Sequence, residues 1–256
     1  MATVLITGVS RRAGIAAAVA ERLRGDGHTV VTAGWTPYDT EHHAGIDAQT
    51  TTDIQADLSE SAEPARLIDA ARRLVGPLSA LVIAHSHDSG GGLLDVTPDL
   101  IDRHLAINVR GSLLLMRAFA EQVPEQTVPP ARTLEQPPAQ TPARIVIFAS
   151  GPPQTGAIAY AASKGALEWI TYSAATELGP RAITVNAINP GPNQSGWMTP
   201  EIEQEAAQRN PLRRAGQPTD AAALVSVLLS EDAAFINGQV ITSDGGHGIA
   251  GGSWPR

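Results

Sequence analysis

The chain has 256 residues, 43% of them hydrophobic, with a formal net charge of −8 and no cysteine. That length and apolar content suffice for one large core. The acidic balance, with no long Lys/Arg run, excludes a nucleic-acid surface, and without cysteine there is neither a disulfide framework nor thiol chemistry.

The first residues, Ala2-Thr3-Val4-Leu5-Ile6, read as a strand, not as the charged start and apolar stretch of a leader. No run approaches the ~18 apolar residues that span a bilayer, so a cytoplasmic protein without membrane contact is expected. In chain order, short β-branched runs at 4–6, 29–33, 80–84, 145–149, 184–188 and 239–242 read as strands. Helical patterns at 15–23, 62–75, 100–122, 159–178 and 221–229 fall between them or follow. Such alternation predicts an α/β fold: one Rossmann-type, doubly wound parallel sheet in a single domain over 1–256. Two stretches break the rhythm. Residues 123–143 hold Pro124, Pro129, Pro130, Pro137, Pro138 and Pro142 and are expected to form a surface loop. Residues 193–211 are the second, and form an expected lid.

The chemistry centres on Tyr160-Ala161-Ala162-Ser163-Lys164. Residues four apart share a helix face. An ammonium beside a phenol favours the phenolate and lowers a pKa that is otherwise about 10. The pair can then pass a proton to or from an alcohol oxygen. Ser150 ends the strand just upstream, at the carboxyl edge where such sheets bind ligands, and its hydroxyl can polarise a carbonyl. Thr155 is the second candidate for that role, and Ser163 reads as a packing residue. Asn108 sits inside a helical stretch, where asparagine is disfavoured and needs a reason. Near the N-terminus, Thr7-Gly8-Val9-Ser10-Arg11-Arg12-Ala13-Gly14-Ile15 joins a strand to a helix, the context in which a glycine-rich turn holds a pyrophosphate. The second strand ends Ala33-Gly34-Trp35-Thr36 with no carboxylate for a ribose 2′-OH, Asp39 lying further on. Arg11 and Arg12 stand ready for a 2′-phosphate, which favours NADP(H) over NAD(H). His85, His87 and Asp88 are too close in sequence to converge on a metal, and none is expected. A Ser-His-Asp hydrolase would need a Gly-x-Ser-x-Gly elbow that the chain lacks.

Together, Thr7-Gly8, Asn108, Ser150 and the Tyr160–Lys164 pair resemble the short-chain dehydrogenase/reductase family along nearly the whole chain. The stretch Gly191-Pro192-Asn193-Gln194-Ser195-Gly196-Trp197-Met198 is similar to a bacterial subgroup of 3-oxoacyl-carrier-protein reductase-like members. The resemblance implies Asn108, Ser150, Tyr160 and Lys164 as the catalytic set, Asn108 holding a water that links the lysine to solvent. It also implies a cofactor site of Gly8, Ser10, Arg11, Arg12, Gly14, Ile15, Asp57, Leu58, Pro190, Gly191 and Ser195, with Asn108, Tyr160 and Lys164 shared. Asp57 would meet the adenine and Ser195 the carboxamide. Trp197, Met198 and Ile202 either line an apolar pocket or pack the lid. Two departures stand out. The glycine loop carries two extra residues with Ala16 in place of a third glycine, and Ala84-His85-Ser86-His87 replaces the family's Asn-Asn-Ala-Gly. The implied activity is NADP(H)-dependent interconversion of a ketone, 3-oxoacyl groups included, and a secondary alcohol, in a homotetramer. A non-redox nucleotide sensor on the same fold is the alternative. Halohydrin-type lyase chemistry is disfavoured by Lys164.

Overall fold

Valine and isoleucine crowd the short runs, and β-branched side chains suit a pleated surface buried on both faces. The computed structural model, which describes residues 1–37, 52–124, 142–151 and 156–250, gathers these runs into a single sheet. Its strands are β1 (Thr3–Thr7), β2 (Thr29–Gly34), β3 (Ile54–Gln55), β4 (Ala80–Ile83), β5 (Ala143–Phe148), β6 (Ile183–Asn189) and β7 (Val240–Thr242). Every pairing is parallel, in the spatial order 3-2-1-4-5-6-7. The winding reverses between β1 and β4, so their carboxyl ends open the crevice where this topology binds ligands.

The helices are α1 (Ile15–Gly25), α2 (Glu63–Val75), α3 (Pro98–His104), α4 (Ser112–Gln122), α5 (Ile158–Leu178), α6 (Pro200–Arg209), α7 (Pro218–Leu229) and α8 (His247–Ala250). Successive strand residues point to opposite faces, and the two cores follow that alternation. Leu5, Leu81, Ile83, Ile145 and Ile147 pack with Leu67, Leu115, Phe119 and Leu167 of α2, α4 and α5. Val4, Ile6, Val82, Val146 and Phe148 pack with Val19, Leu23, Val225 and Leu228 of α1 and α7.

Three local features position the site. First, the helical stretch expected over 100–122 is not uniform: Leu105–Gly111 is wound as a π-helix between α3 and α4. Wider turns of this kind are rare and cluster at functional sites; this one carries Asn108. Second, β3 is two residues long and escaped the sequence reading. The Asp53 carboxylate stands in for strand pairing there, accepting from both the backbone N–H and the hydroxyl of Thr32, each at 2.8 Å. Third, two glycines permit close backbone approach. A Cβ on Gly8 (φ +83°) would lie 2.6 Å from the Ala84 carbonyl, and one on Gly34 would lie 2.5 Å from that of Val9. The glycine loop is thus pressed against β4 on one side and β2 on the other. Of the expected Pro-rich loop at 123–143, residues 125–141 lie outside the described residues.

Candidate active site

A cavity of about 400 Å³ runs along the carboxyl ends of β1, β2, β4, β5 and β6. At one end, Gly14 caps α1 in extended conformation (φ −77°, ψ 155°) with no side chain capping the helix. The first-turn N–H groups of a helix lack intrahelical partners, and Gly14, Ile15 and Ala16 face the cavity. An uncapped, positively polarised helix end bordered by Gly8 and Ser10 fits the pyrophosphate of a dinucleotide. Asp57, whose Oδ1 accepts from the Ser59 N–H at 2.9 Å, and Leu58 line the same end. Pro190, Gly191 and Ser195 line the other, where the Asn189 side chain accepts from the Gly191 N–H at 3.1 Å and shapes the turn.

The two arginines separate. Arg11 borders the cavity beside Gly34 and Trp35, whereas Arg12 is exposed and does not. Of the two arginines expected to stand ready for a 2′-phosphate, Arg11 is the one that lines the cavity. The Gly14 N–H donates to the Arg11 carbonyl at 3.2 Å and closes a turn over these residues. Asp39 and Thr155 lie outside the described residues.

At the far end Tyr160, Lys164 and Ser150 meet in the same cavity. Lys164 is buried, and its Nζ donates to the Phe148 carbonyl at 2.7 Å. It stands 6.0 Å from the centre of the Tyr160 ring. Burial pulls the Lys164 pKa down to about 8, with the Asp88 charge opposing the shift. Tyr160 moves the other way from the expected direction. Burial above all, then the Asp88 charge, push its pKa above 10, while the hydroxyls of Ser150 and Ser86 work to lower it. Ser86 does so although its buried Oγ makes no hydrogen bond of good geometry. The correction to the sequence reading is physical: the ammonium is tied to a backbone carbonyl, so desolvation outweighs its attraction for a phenolate.

Asn108 lies behind the cavity wall rather than on it. Its Oδ1 accepts from the His87 N–H at 2.7 Å, and its Nδ2 donates to the His87 carbonyl and to Ser163 Oγ, both at 2.9 Å. Ser163 in turn donates to the Tyr160 carbonyl at 2.7 Å. The Asn108 carbonyl accepts from Ser112 Oγ at 2.7 Å. Asn108 therefore joins the loop after β4 to the helix that carries Tyr160, a link that its mid-helix position hinted at and the sequence did not specify. Ser163 is more than packing, since it completes that link.

The altered stretch after β4 is rebuilt around His85. Its Nδ1 lies 2.9 Å from Thr7 Oγ1 and its Nε2 3.1 Å from the Ile107 carbonyl. Full burial depresses its pKa to about 4, so the ring is neutral and bonds through one donor and one acceptor, as an amide would. The altered stretch is thereby tied to β1 and to the π-helical turn. Sequence reading also missed His104, which is fully buried: the Ser89 N–H donates to its Nε2 at 3.3 Å, leaving Nδ1 to donate to the Leu100 carbonyl at 2.8 Å. Of the lid residues, Trp197 borders the cavity, its Nε1 donating to the Asn193 carbonyl at 2.9 Å. Met198 is buried instead with Ala206 and Ala215. Ile202, on the first turn of α6, does not reach the cavity.

The profile of the family described as enoyl-(acyl carrier protein) reductase matches residues 8–248. The chain is similar to the oxidoreductase YjdA of Bacillus subtilis (strain 168), 31% identical over 253 residues that span 94% of this chain and 95% of the other. It is similar to dehydrogenase/reductase SDR family member 4 of Homo sapiens, 31% identical over 242 residues, 91% of this chain and 83% of the other. Among solved structures, a short chain dehydrogenase from Burkholderia cenocepacia J2315 in complex with NADP superposes with a TM-score of 0.78 at 31% identity, covering 96% of this chain and 97% of that one. A blue fluorescent protein from a metagenomic library, in complex with NADPH, gives a TM-score of 0.77 at 28% identity, with 96% and 97% covered. Sequence likeness and backbone likeness extend over the same nearly full length, glycine loop to last helix, and the chain belongs to the short-chain dehydrogenase/reductase family of oxidoreductases.

Proposed function

We propose that this protein reduces a ketone to a secondary alcohol with NADPH, and runs the reverse reaction with NADP. One observation carries the reading: Tyr160 and Lys164, one turn apart on α5, share a cavity with Ser150 and with the uncapped N-terminus of α1. When bound, the dinucleotide supplies or accepts the hydride at the carbonyl carbon. The remaining steps belong to the chain. Ser150 donates a hydrogen bond to the carbonyl oxygen and fixes its direction. The Tyr160 hydroxyl gives its proton to that oxygen as negative charge develops on it, the phenol being protonated before the transfer. Lys164 holds ribose hydroxyls and returns a proton towards Tyr160, and Asn108 keeps the relay aligned.

Arg11 beside Gly34 and Trp35, with no carboxylate at either position, supports NADP over NAD; both neighbours described above were solved with that phosphorylated cofactor. Among the described residues no helix is long and apolar enough to cross a membrane, and we assign the enzyme to the cytoplasm. A homotetramer is supported by the outer face of the Leu105–Gly111 turn and α4. There Leu105, Val109 and Leu113 border an open groove of about 690 Å³. The test is NADPH oxidation over a panel of keto-esters, cyclic ketones and acyl thioesters. Turnover of at least one class is expected, and no turnover with any class would overturn the reading.

A further inference from the structure

Among the described residues four charged side chains border the cavity. Arg11 and Asp57 sit at the glycine-loop end, beside α1 and β3. Asp88 and Lys164 sit at the Tyr160 end. Lys164 is buried and donates to the Phe148 carbonyl, whereas Asp88 is exposed. Near Tyr160 a substrate therefore meets an exposed carboxylate and a more deeply set ammonium.

Asp88 is also held with unusual care for an exposed residue. On one side, both backbone polar groups of His87 are taken by the buried amide of Asn108. On the other, the Ser89 N–H donates to Nε2 of the buried His104 at 3.3 Å. Two residues on, the Gly91 N–H donates to the Gly156 carbonyl at 2.7 Å, and the Ile158 N–H to the Gly91 carbonyl at 3.1 Å. The segment bearing Asp88 is thus stitched to the start of α5, two residues before Tyr160. The His104 ring nearby is itself held at both nitrogens, Nε2 by the Ser89 backbone N–H and Nδ1 at 2.8 Å from the Leu100 carbonyl. The Asp88 charge is felt at both Tyr160 and Lys164, which places it within electrostatic reach of the reacting carbonyl. A carboxylate carried on a backbone anchored on both sides discriminates between substrates by the sign of their charge.

We propose that Asp88 is a specificity-determining residue of the carbonyl pocket, its carboxylate selecting ketones that carry a cationic nitrogen next to the reacting carbonyl and turning away keto acids. This rests on the ketone-reductase reading, since it assumes that the carbonyl sits against Ser150 and Tyr160. Aryl ketones suit the probe set, because Trp197 provides an apolar wall.

The experiment uses three phenyl ketones matched in shape: phenacyltrimethylammonium, its uncharged isostere neopentyl phenyl ketone, and the anion benzoylacetate. Binding to the protein–NADP complex is measured by calorimetry, and turnover with NADPH by absorbance, for wild type, Asp88→Asn and Asp88→Glu. Wild type is expected to bind the cation at least about tenfold more tightly than the isostere, a difference of about 1.4 kcal/mol, and the anion most weakly. Asp88→Asn is expected to erase that order and Asp88→Glu to keep its sign. Comparing ratios between probes removes any general effect of Asp88 on Tyr160. Equal binding of cation and isostere by wild type, or a ratio unchanged in Asp88→Asn, overturns the proposal. Charge-selective binding without turnover of any ketone would uphold the selection and sink the reductase reading alone.

Discussion

The side-chain amide of Asn108 takes up both backbone polar groups of His87, accepting from its N–H at 2.7 Å and donating to its carbonyl at 2.9 Å. Both residues are buried. Truncation leaves two backbone groups without partners, each costing about 1–3 kcal/mol. Asn108→Ala is therefore expected to lose about 2–4 kcal/mol in chemical denaturation. It should also raise KM for the carbonyl substrate more than it raises the dissociation constant of NADPH, because the freed segment borders the substrate end. A kcat loss with unchanged KM and stability would show instead that Asn108 acts only in proton relay.

Tyr160→Phe removes the proton donor and keeps the ring, which lies edge-on to His104 with centroids 6.4 Å apart. A fall in kcat of at least about 100-fold is expected, in keeping with general acid contributions, with NADPH affinity retained. Steady-state turnover on an accepted ketone and fluorescence titration of the cofactor check the two halves. Near-normal turnover would remove Tyr160 from the proton path.

Acid stability should report on His85. Its pKa in the folded protein, about 4, lies below the ordinary 6.5. As pH falls from 6.5 to 4 the unfolded chain takes a proton that the folded protein refuses, so stability is present above that window and lost through it. The loss amounts to about 3 kcal/mol at 1.36 kcal/mol per pKa unit. His85→Asn offers an amide to Thr7 and Ile107 and does not titrate there, so its stability should fall less steeply over the same range. Denaturant midpoints at several pH values decide this; identical slopes for the two proteins would contradict the neutral-imidazole assignment.

Cofactor preference should depend on one arginine, not two. NADPH is expected to bind at least about tenfold more tightly than NADH, or about 1.4 kcal/mol, consistent with a charge-assisted contact to a 2′-phosphate. Arg11→Ala should cut that ratio, and Arg12→Ala should leave it nearly intact, because only Arg11 borders the cavity. Equal loss in the two single variants would mean that the loop rearranges when the dinucleotide binds.

Association should depend on the groove beside α4. Leu105 and Leu113 are 40% and 44% exposed there, beside Val109, more apolar surface than an isolated protomer favours. Wild type is expected to sediment as a tetramer at micromolar concentration, and Leu113→Glu as a smaller species. A monomeric wild type would refute the assembly.

The elements were legible wherever one physical rule acted alone. Strands buried on both faces read as unbroken β-branched runs, so β1, β4 and β6 lie within a residue or two of their expected bounds. Tyr160 and Lys164 were legible because helical spacing alone puts them on one face. What escaped depends on contacts between distant segments. The two residues of β3 carry no periodicity, and their edge is secured by Asp53 reaching Thr32. The π-helical winding around Asn108 has no residue signature. The direction of the Tyr160 pKa shift turns on which acceptor Lys164 finds, and that acceptor, the Phe148 carbonyl, belongs to another strand. His85 looked like a loss of the family's amides because sequence shows residue type but not the bonds a neutral ring makes across β1 and the π-turn.

The close approach at Gly34 narrows how a change of cofactor could be engineered or could evolve. A carboxylate that selects for a bare ribose would ordinarily be introduced at the end of β2. At Gly34 any side chain begins 2.5 Å from the Val9 carbonyl, so an acid there must first displace the turn that would cradle the pyrophosphate. Trp35, the next residue, borders the cavity and has room, being 40% exposed. The route from one dinucleotide to the other thus runs through Trp35→Asp paired with loss of the Arg11 charge, while Gly34→Asp is expected to weaken binding of both, which titration of NADPH and NADH would show.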